Sequence, residues 1–166
     1  MGLPVKRFVA ASNINRVVPD YLESGSYRPR AAVRTISNAM DVGDPSNFIR
    51  IREMFQDNHH KMKALIRPFV ADNDQTREGI RDLNAAADYT ADPHGAIGYL
   101  GCRNLIHHNE TGIFLETAHP AKFKNIVEES IQKDVELPEY LREIQNKPKQ
   151  AVQMPADYRE FKQWLK

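Results

Sequence analysis

Helix starts recur along this chain far more often than strand candidates do, and that imbalance limits the folds open to it. Two stretches stand out as apolar at consecutive positions. Residues 6–12 carry Phe8, Val9, Ala10 and Ala11 behind a basic entry, and residues 111–118 carry Ile113, Phe114 and Leu115. Runs of this kind predict strands buried on both faces, as in parallel sheets. Residues 32–36 form a weaker candidate, extended if not a strand. The run at 111–118 passes at once into a helical pattern, which makes a strand–turn–helix unit of the α/β kind.

The helix starts are better marked. Asp44-Pro45 and Asp92-Pro93 each set a capping acceptor before a proline at the first helical position, where its missing N–H costs nothing. They predict helices over 45–56, with Phe48, Ile51 and Phe55 on one face, and over 93–108. The second holds Gly95, Ala96, Gly98 and Gly101, so something is expected to pack close against its backbone. Thr76 is placed to cap 77–88. Pro120 opens a helix whose Phe123, Ile126, Val127 and Ile131 form a core stripe. Pro138 begins another, residues 147–150 read as a loop, and Tyr158, Phe161 and Leu165 line the last helix. An α/β domain normally supplies more strands than this, so the sheet is expected to be partial and the chain a piece of something longer.

Charge and composition exclude several classes of function. Lys and Arg number 23 against 22 Asp and Glu, a net charge of +1, so no strong field draws the surface to nucleic acid or anionic lipid. Hydrophobic residues at 41% suffice for a core. No apolar run approaches the ~18–20 residues of a membrane span. The first residues lack a secretory signal, and Lys6 breaks the myristoylation pattern. Cys102 stands alone, which excludes an internal disulfide, fits a reducing compartment and leads to an expected cytoplasmic location. Asn109-Glu110-Thr111 matches a glycosylation sequon by chance.

Metal and nucleophile chemistry find little support. His59-His60 and His107-His108 are adjacent pairs whose members point to different helix faces, and no zinc-ligand spacing is present, so no metal site is expected. Cys102 lies mid-helix among small residues, Ser46 at a helix start, and neither carries a nucleophile-elbow signature. Two polar clusters are more informative. Thr117-Ala118-His119-Pro120-Ala121-Lys122 delivers a hydroxyl, an imidazole and a cation to the mouth of a helix, a position that attracts anions in α/β sheets. A capping threonine beside a solvated lysine reads the same way locally. Residues 37–48, from Ser37 to Phe48, hold uncharged donors and acceptors suited to a small polar ligand, or to a loop satisfying its own backbone.

At these residues a family resemblance appears. RFVAASNINRVVPDYLESGSYRPR, TISNAMDVGDPSNFIRI, DPHGAIGYL and ETAHPAKF stand in order at spacings that closely resemble the carboxyl-terminal part of the threonine synthases, in their longer bacterial and fungal form. The resemblance covers residues 1 to about 131, and the tail after 132 matches less distinctively. It implies a pyridoxal 5'-phosphate enzyme of the tryptophan-synthase β-like fold (fold type II), here a helix-rich α/β carboxyl-terminal part with a partial parallel sheet. It also implies division into residues 1–132, the catalytic-domain part, and 133–166, a helical tail packing on it. The implied reaction takes O-phospho-L-homoserine and water to L-threonine and phosphate.

In that family a lysine of the amino-terminal half holds the cofactor as a Schiff base, and a GNFG-like loop cradles its phosphate. Neither is found here; Lys6, Lys61 and Lys63 lie outside that context. The chain is therefore expected to be a carboxyl-terminal fragment, inactive alone, with the amino-terminal part of the enzyme as its missing partner and self-association through exposed apolar surface. The resemblance puts Thr117 at the cofactor's pyridine nitrogen, where a hydroxyl donates to an unprotonated ring. It gives substrate-binding roles to Lys122, His119, Arg50, Asn47, Ser46 and Asn13, among which Arg50 suits a phosphate or carboxylate through its guanidinium. Asn15, Asn38 and His94 fall in the same cleft-lining segments. Two alternatives stay open: a related phospho-lyase that releases a keto acid, and a folded, non-catalytic fragment.

Overall fold

Phe8–Ser12 forms a strand, β1, and its partner is a strand absent from the sequence reading, β2 (Ile66–Val70). The two pair in parallel with Phe8 opposite Ile66 and Ser12 opposite Val70. The computed structural model describes residues 4–145 and 147–166, and among them this pair is the whole sheet. Arg67 and Pro68 interrupt the apolar run of β2, and proline is tolerated in a strand that has an open edge.

The crossover between the strands carries α1 (Val17–Ser24), α2 (Phe48–Met54) and α3 (His59–Leu65). Tyr21 and Leu22 of α1 pack with Phe48, Met62 and Ile66 in one apolar cluster, where the Tyr21 and Phe48 rings meet edge to face at 5.2 Å. Gly25 closes α1 in a left-handed conformation, φ 76°, its N–H donating to Tyr21 O at 2.8 Å. The helix expected over 45–56 is shorter, because the Asp44 carboxylate accepts the Tyr27 hydroxyl at 2.7 Å and regular helix begins only at Phe48.

Beyond β2 come α4 (Asn73–Ala87) and α5 (Pro93–Leu105). Asp72 caps α4 in a reciprocal box with Gln75, so the helix starts before the position predicted from Thr76, whose hydroxyl instead donates to Asp72 O within the first turn. Asp92 caps α5 as expected, accepting from His94 N at 2.7 Å. Ile97 and Leu100 of α5 pack on Ala71 and Phe69, and Gly101 lets the helix lie so near the sheet that a Cβ there would be 3.0 Å from Val9 Cγ1.

Residues 111–118 are not a strand. They run extended along α5 without a ladder partner among the described residues. Gly112 lies against Cys102 and Ile106, Phe114 against Gly98, and Glu116 against Gly95. Alternate residues of the strap thus step down the helix, and the glycines of α5 leave room for them. The intervening side chains face outward: Ile113 is 83% exposed, Leu115 77%, and Thr117 is exposed beside them. Residues 32–36 are likewise not a strand. Instead the Asn15 amide bonds both peptide groups of Val33, accepting its N–H at 2.7 Å and donating to its carbonyl at 2.8 Å.

The helix expected from Pro120 starts as a 3-10 turn, Pro120–Phe123, and becomes α6 at Lys124–Ile131. Phe123 and Val127 join Ile80, Leu83, Ala91 and Ala96 in a second apolar cluster. This first unit of the chain ends at Glu136. The second, Leu137–Lys166, holds α7 (Glu139–Gln145) and α8 (Tyr158–Trp164). In α8 the Asp157 carboxylate accepts from Arg159 N and Glu160 N, and the Phe161 and Trp164 rings stack at 6.4 Å.

Candidate functional site

Two buried polar clusters hold the loops at the end of β1 and at the start of α5. The first centres on Asp41. Its Oδ1 accepts from Thr35 Oγ1 at 2.7 Å, Asn13 Nδ2 at 2.9 Å and Asn15 Nδ2 at 3.0 Å, and its Oδ2 accepts from Thr35 N at 2.8 Å. Asn13, almost wholly buried, also reaches the Ser37 hydroxyl at 3.1 Å, and its Oδ1 accepts from Asn15 N at 2.9 Å. Both polar atoms of the Asn13 side chain are therefore engaged within the chain. The network fixes residues 33–41 against the end of β1, and there a cleft of about 350 Å³ opens, lined by Ser12, Asn15, Val17, Met40 and Asn47.

The second cluster joins three segments. Asp92 Oδ1 accepts from His94 Nδ1 at 2.5 Å. His94 Nε2 accepts from Ala39 N at 3.1 Å, so the ring carries its hydrogen on Nδ1. Glu116 Oε1 accepts from Asp92 N at 2.8 Å. Burial and the neighbouring Asp92 push the Glu116 carboxyl up to about 8. Burial also opposes the Asp92 charge, but bonds from His94 and Glu116 outweigh it and hold Asp92 below its ordinary value. Glu110 anchors the other end of the strap, pairing with Lys6 and with Arg7 at 2.8 Å and accepting from His107 N at 3.0 Å. The Lys6 contact, then the His107 N–H, hold it down to about 2.

The residues picked out from the sequence fall in different places. Thr117 ends the outward face of the strap, and its hydroxyl has no hydrogen-bond partner among the described residues. His119 follows it, its Nδ1 accepting from Ala121 N at 3.1 Å as the cap of the 3-10 turn. Lys122 is exposed, its Nζ 5.5 Å from the Phe123 ring centroid. Asn47 lines the cleft, while Ser46 and Arg50 are exposed at the start of α2. His94 ties the start of α5 to the 37–48 segment through Ala39. Asp41, Asp92 and Glu116, the acids at the centre of these networks, are absent from the site residues read from the sequence. All three stand inside the quoted motifs, but each also bonds to a distant segment, Asp41 to Asn13 and Asn15 and Asp92 to Glu116. Among the described residues no group of three metal-ligating side chains is present. Cys102 is half-buried, and burial pushes its thiol up.

A family model described as "Threonine synthase, C-terminal" matches residues 95–165. The chain is 41% identical over 158 residues to the threonine synthase of Escherichia coli (strain K12), covering 95% of this chain and 36% of that protein. A crystal structure of threonine synthase from Escherichia coli superposes with a TM-score of 0.88 at 39% identity, over 99% of this chain and 38% of that one. The PLP-bound threonine synthase from Brucella melitensis shares the fold, with a TM-score of 0.83 at 24% identity over 99% of this chain and 41% of that one. The likeness therefore runs through the tail after residue 132, where the motifs alone are indistinct. The chain spans well under half the length of these relatives.

Proposed function

This chain belongs to the threonine synthase family, matching the carboxyl-terminal part of its members, and on that premise we propose that it supplies one wall of an active site converting O-phospho-L-homoserine and water to L-threonine and phosphate. The observation that carries the reading is the unpartnered Thr117 hydroxyl on the exposed face of the strap. Pyridoxal 5'-phosphate, when bound, supplies an electron sink for chemistry at the amino acid's carbons.

The residues present fit that group. Thr117 offers a neutral hydroxyl to the pyridine nitrogen, where a carboxylate would keep the ring charged. The neighbouring acid, Glu116, is turned inward against Gly95, off the face that Thr117 shares. Lys122 and Arg50 are cations with no ion-pair partner among the described residues, suited to the substrate's phosphate and carboxylate. Ser46, Asn47 and His119 offer neutral polar atoms that orient the substrate. Asn13 serves this site by holding residues 33–41 and not by direct contact, since its side-chain amide is engaged at both ends.

The cofactor lysine and the loop for the cofactor phosphate belong, in this reading, to the amino-terminal part of the enzyme. That part covers Ile113, Leu115 and the apolar cleft of about 650 Å³ between the strap and β1. The helical tail, residues 133–166, belongs in this reading to the same enzyme. With its single cysteine, this chain suits the reducing cytoplasm.

The test is made in the full-length enzyme that contains this chain. Thr117→Ala is expected to weaken cofactor retention and turnover while leaving the folded chain intact, and Thr117→Ser to restore most of both. Product analysis decides the reaction: threonine supports the reading, and a keto acid overturns it. This chain alone, mixed with the cofactor, is expected to fix none on a lysine under borohydride.

A further inference from the structure

Two buried side-chain oxygens lack any hydrogen-bond partner among the described residues, Asp92 Oδ2 and Glu116 Oε2. They belong to carboxyl groups already tied together through Glu116 Oε1 and the Asp92 N–H, 2.8 Å apart. Two ionised carboxylates can only accept, so neither oxygen is able to satisfy the other. One proton changes that, since a protonated carboxyl donates to its neighbour and both orphans vanish together.

We propose that Asp92 and Glu116 share a single proton between Oδ2 and Oε2, and that this proton clasps the 111–118 strap, and Thr117 with it, onto α5. Glu116 is thereby a positioning residue, acting through the backbone of its neighbour. The clasp stands on the packing of this chain and not on the chemistry proposed for Thr117.

The surroundings set which group keeps the proton. Asp92 Oδ1 takes two donors from His94, its N–H and its Nδ1–H, which favour the ionised form of Asp92. Glu116 has a single backbone donor and a carboxylate neighbour. The other titratable groups facing the pair are the His94 ring, from α5, and Tyr89, from the turn before it. Burial, then the Glu116 and Asp92 charges, raise the Tyr89 phenol. No Lys or Arg pairs with either carboxyl among the described residues. A Cβ at residue 95 would overlap the Glu116 carboxyl, so glycine is what admits the acid to this seat.

Carboxyl-carbon NMR of this chain across the pH range tests the clasp. One glutamate should titrate with a midpoint near 8, and its signal should be absent from Glu116→Gln. In Asp92→Asn the side-chain amide donates to Glu116 Oε2 and the neighbouring charge is gone, so the same glutamate should titrate at a clearly lower pH than in the parent chain, with burial still holding it up. The contact between the Phe114 and Tyr99 rings, read as a nuclear Overhauser effect, reports the seating of the strap. It should fade above pH 8 in the parent chain and persist in Glu116→Gln, whose amide reproduces the bond without a proton to lose. A Glu116 midpoint near about 4.3 in the parent chain overturns the proposal. So does a midpoint unmoved by Asp92→Asn. Should that variant not fold, a ring contact that fades alike in the parent and in Glu116→Gln overturns it.

Discussion

The imidazole of His94 accepts a hydrogen bond from the Ala39 backbone N–H at 3.1 Å, and this bond joins the first turn of α5 to the loop that closes over the end of β1. The two segments are 55 residues apart. Removing the ring in His94→Ala leaves the Ala39 N–H without an acceptor and strips a donor from the buried Asp92. A loss of about 1–3 kcal/mol is expected. Urea denaturation, read as a lower midpoint with an unchanged slope, measures it.

Glycines 95 and 98 both face the strap but differ in what they touch. A methyl group at 95 overlaps the Glu116 carboxyl, whereas one at 98 comes within 3.3 Å of the Phe114 Cβ, a gap that small shifts relieve. Gly95→Ala is therefore expected to destabilise by about 1–3 kcal/mol through overpacking. Gly98→Ala should cost clearly less, and its gain in helix propensity offsets part of that. A side-by-side thermal melt ranks the two, and an equal loss would contradict the seating of Glu116.

Stability should fall as pH rises across the neutral range. The Glu116 carboxyl is raised to about 8 in the folded chain, above its unfolded value, so its contribution is whole at low pH and is lost as pH rises through the folded value. Asp92 has the opposite sign: its folded value is depressed, so its contribution is present above the unfolded value and is lost on acidification. The decline on the alkaline side thus belongs to Glu116. Unfolding midpoints between about pH 5 and pH 9 should slope downward for the parent chain and lie flatter for Glu116→Gln.

Ile113 and Leu115 present bare hydrocarbon on the outer side of the strap, and Phe8, 52% exposed, adds to it at the mouth of the 650 Å³ cleft. Apolar surface of this kind recruits a neighbour when its natural cover is absent. This chain is expected to self-associate on its own and to bind a hydrophobic dye. Leu115→Lys should shift size-exclusion toward the monomer and reduce dye fluorescence. A monomeric, dye-silent parent chain would count against the reading.

Much of this was legible from residue order. β1, the capping of α5 by Asp92 and the close approach to the α5 backbone follow from an apolar run, an Asp-Pro step and a set of glycines. β2 was hidden because Arg67 and Pro68 sit in its middle, and its pairing depends on a strand more than fifty residues away. The segment at 111–118 misled for a subtler reason. Its consecutive apolar residues look like a strand buried on both faces, but one face rests on a helix and the other is bare. Thr117 came from a resemblance, and its position on the open face is a tertiary fact. Asp92 looked like a cap and nothing more, because its second role depends on Glu116, which reaches it from 24 residues along the chain.

The alternation along the strap acts as a ruler. Gly112, Phe114 and Glu116 meet α5, while Ile113, Leu115 and Thr117 look away from it. Inserting or deleting one residue within this stretch would exchange the two sets, driving the acid into solvent and the hydroxyl into the helix groove. The spacing of the segment has to be kept to the residue.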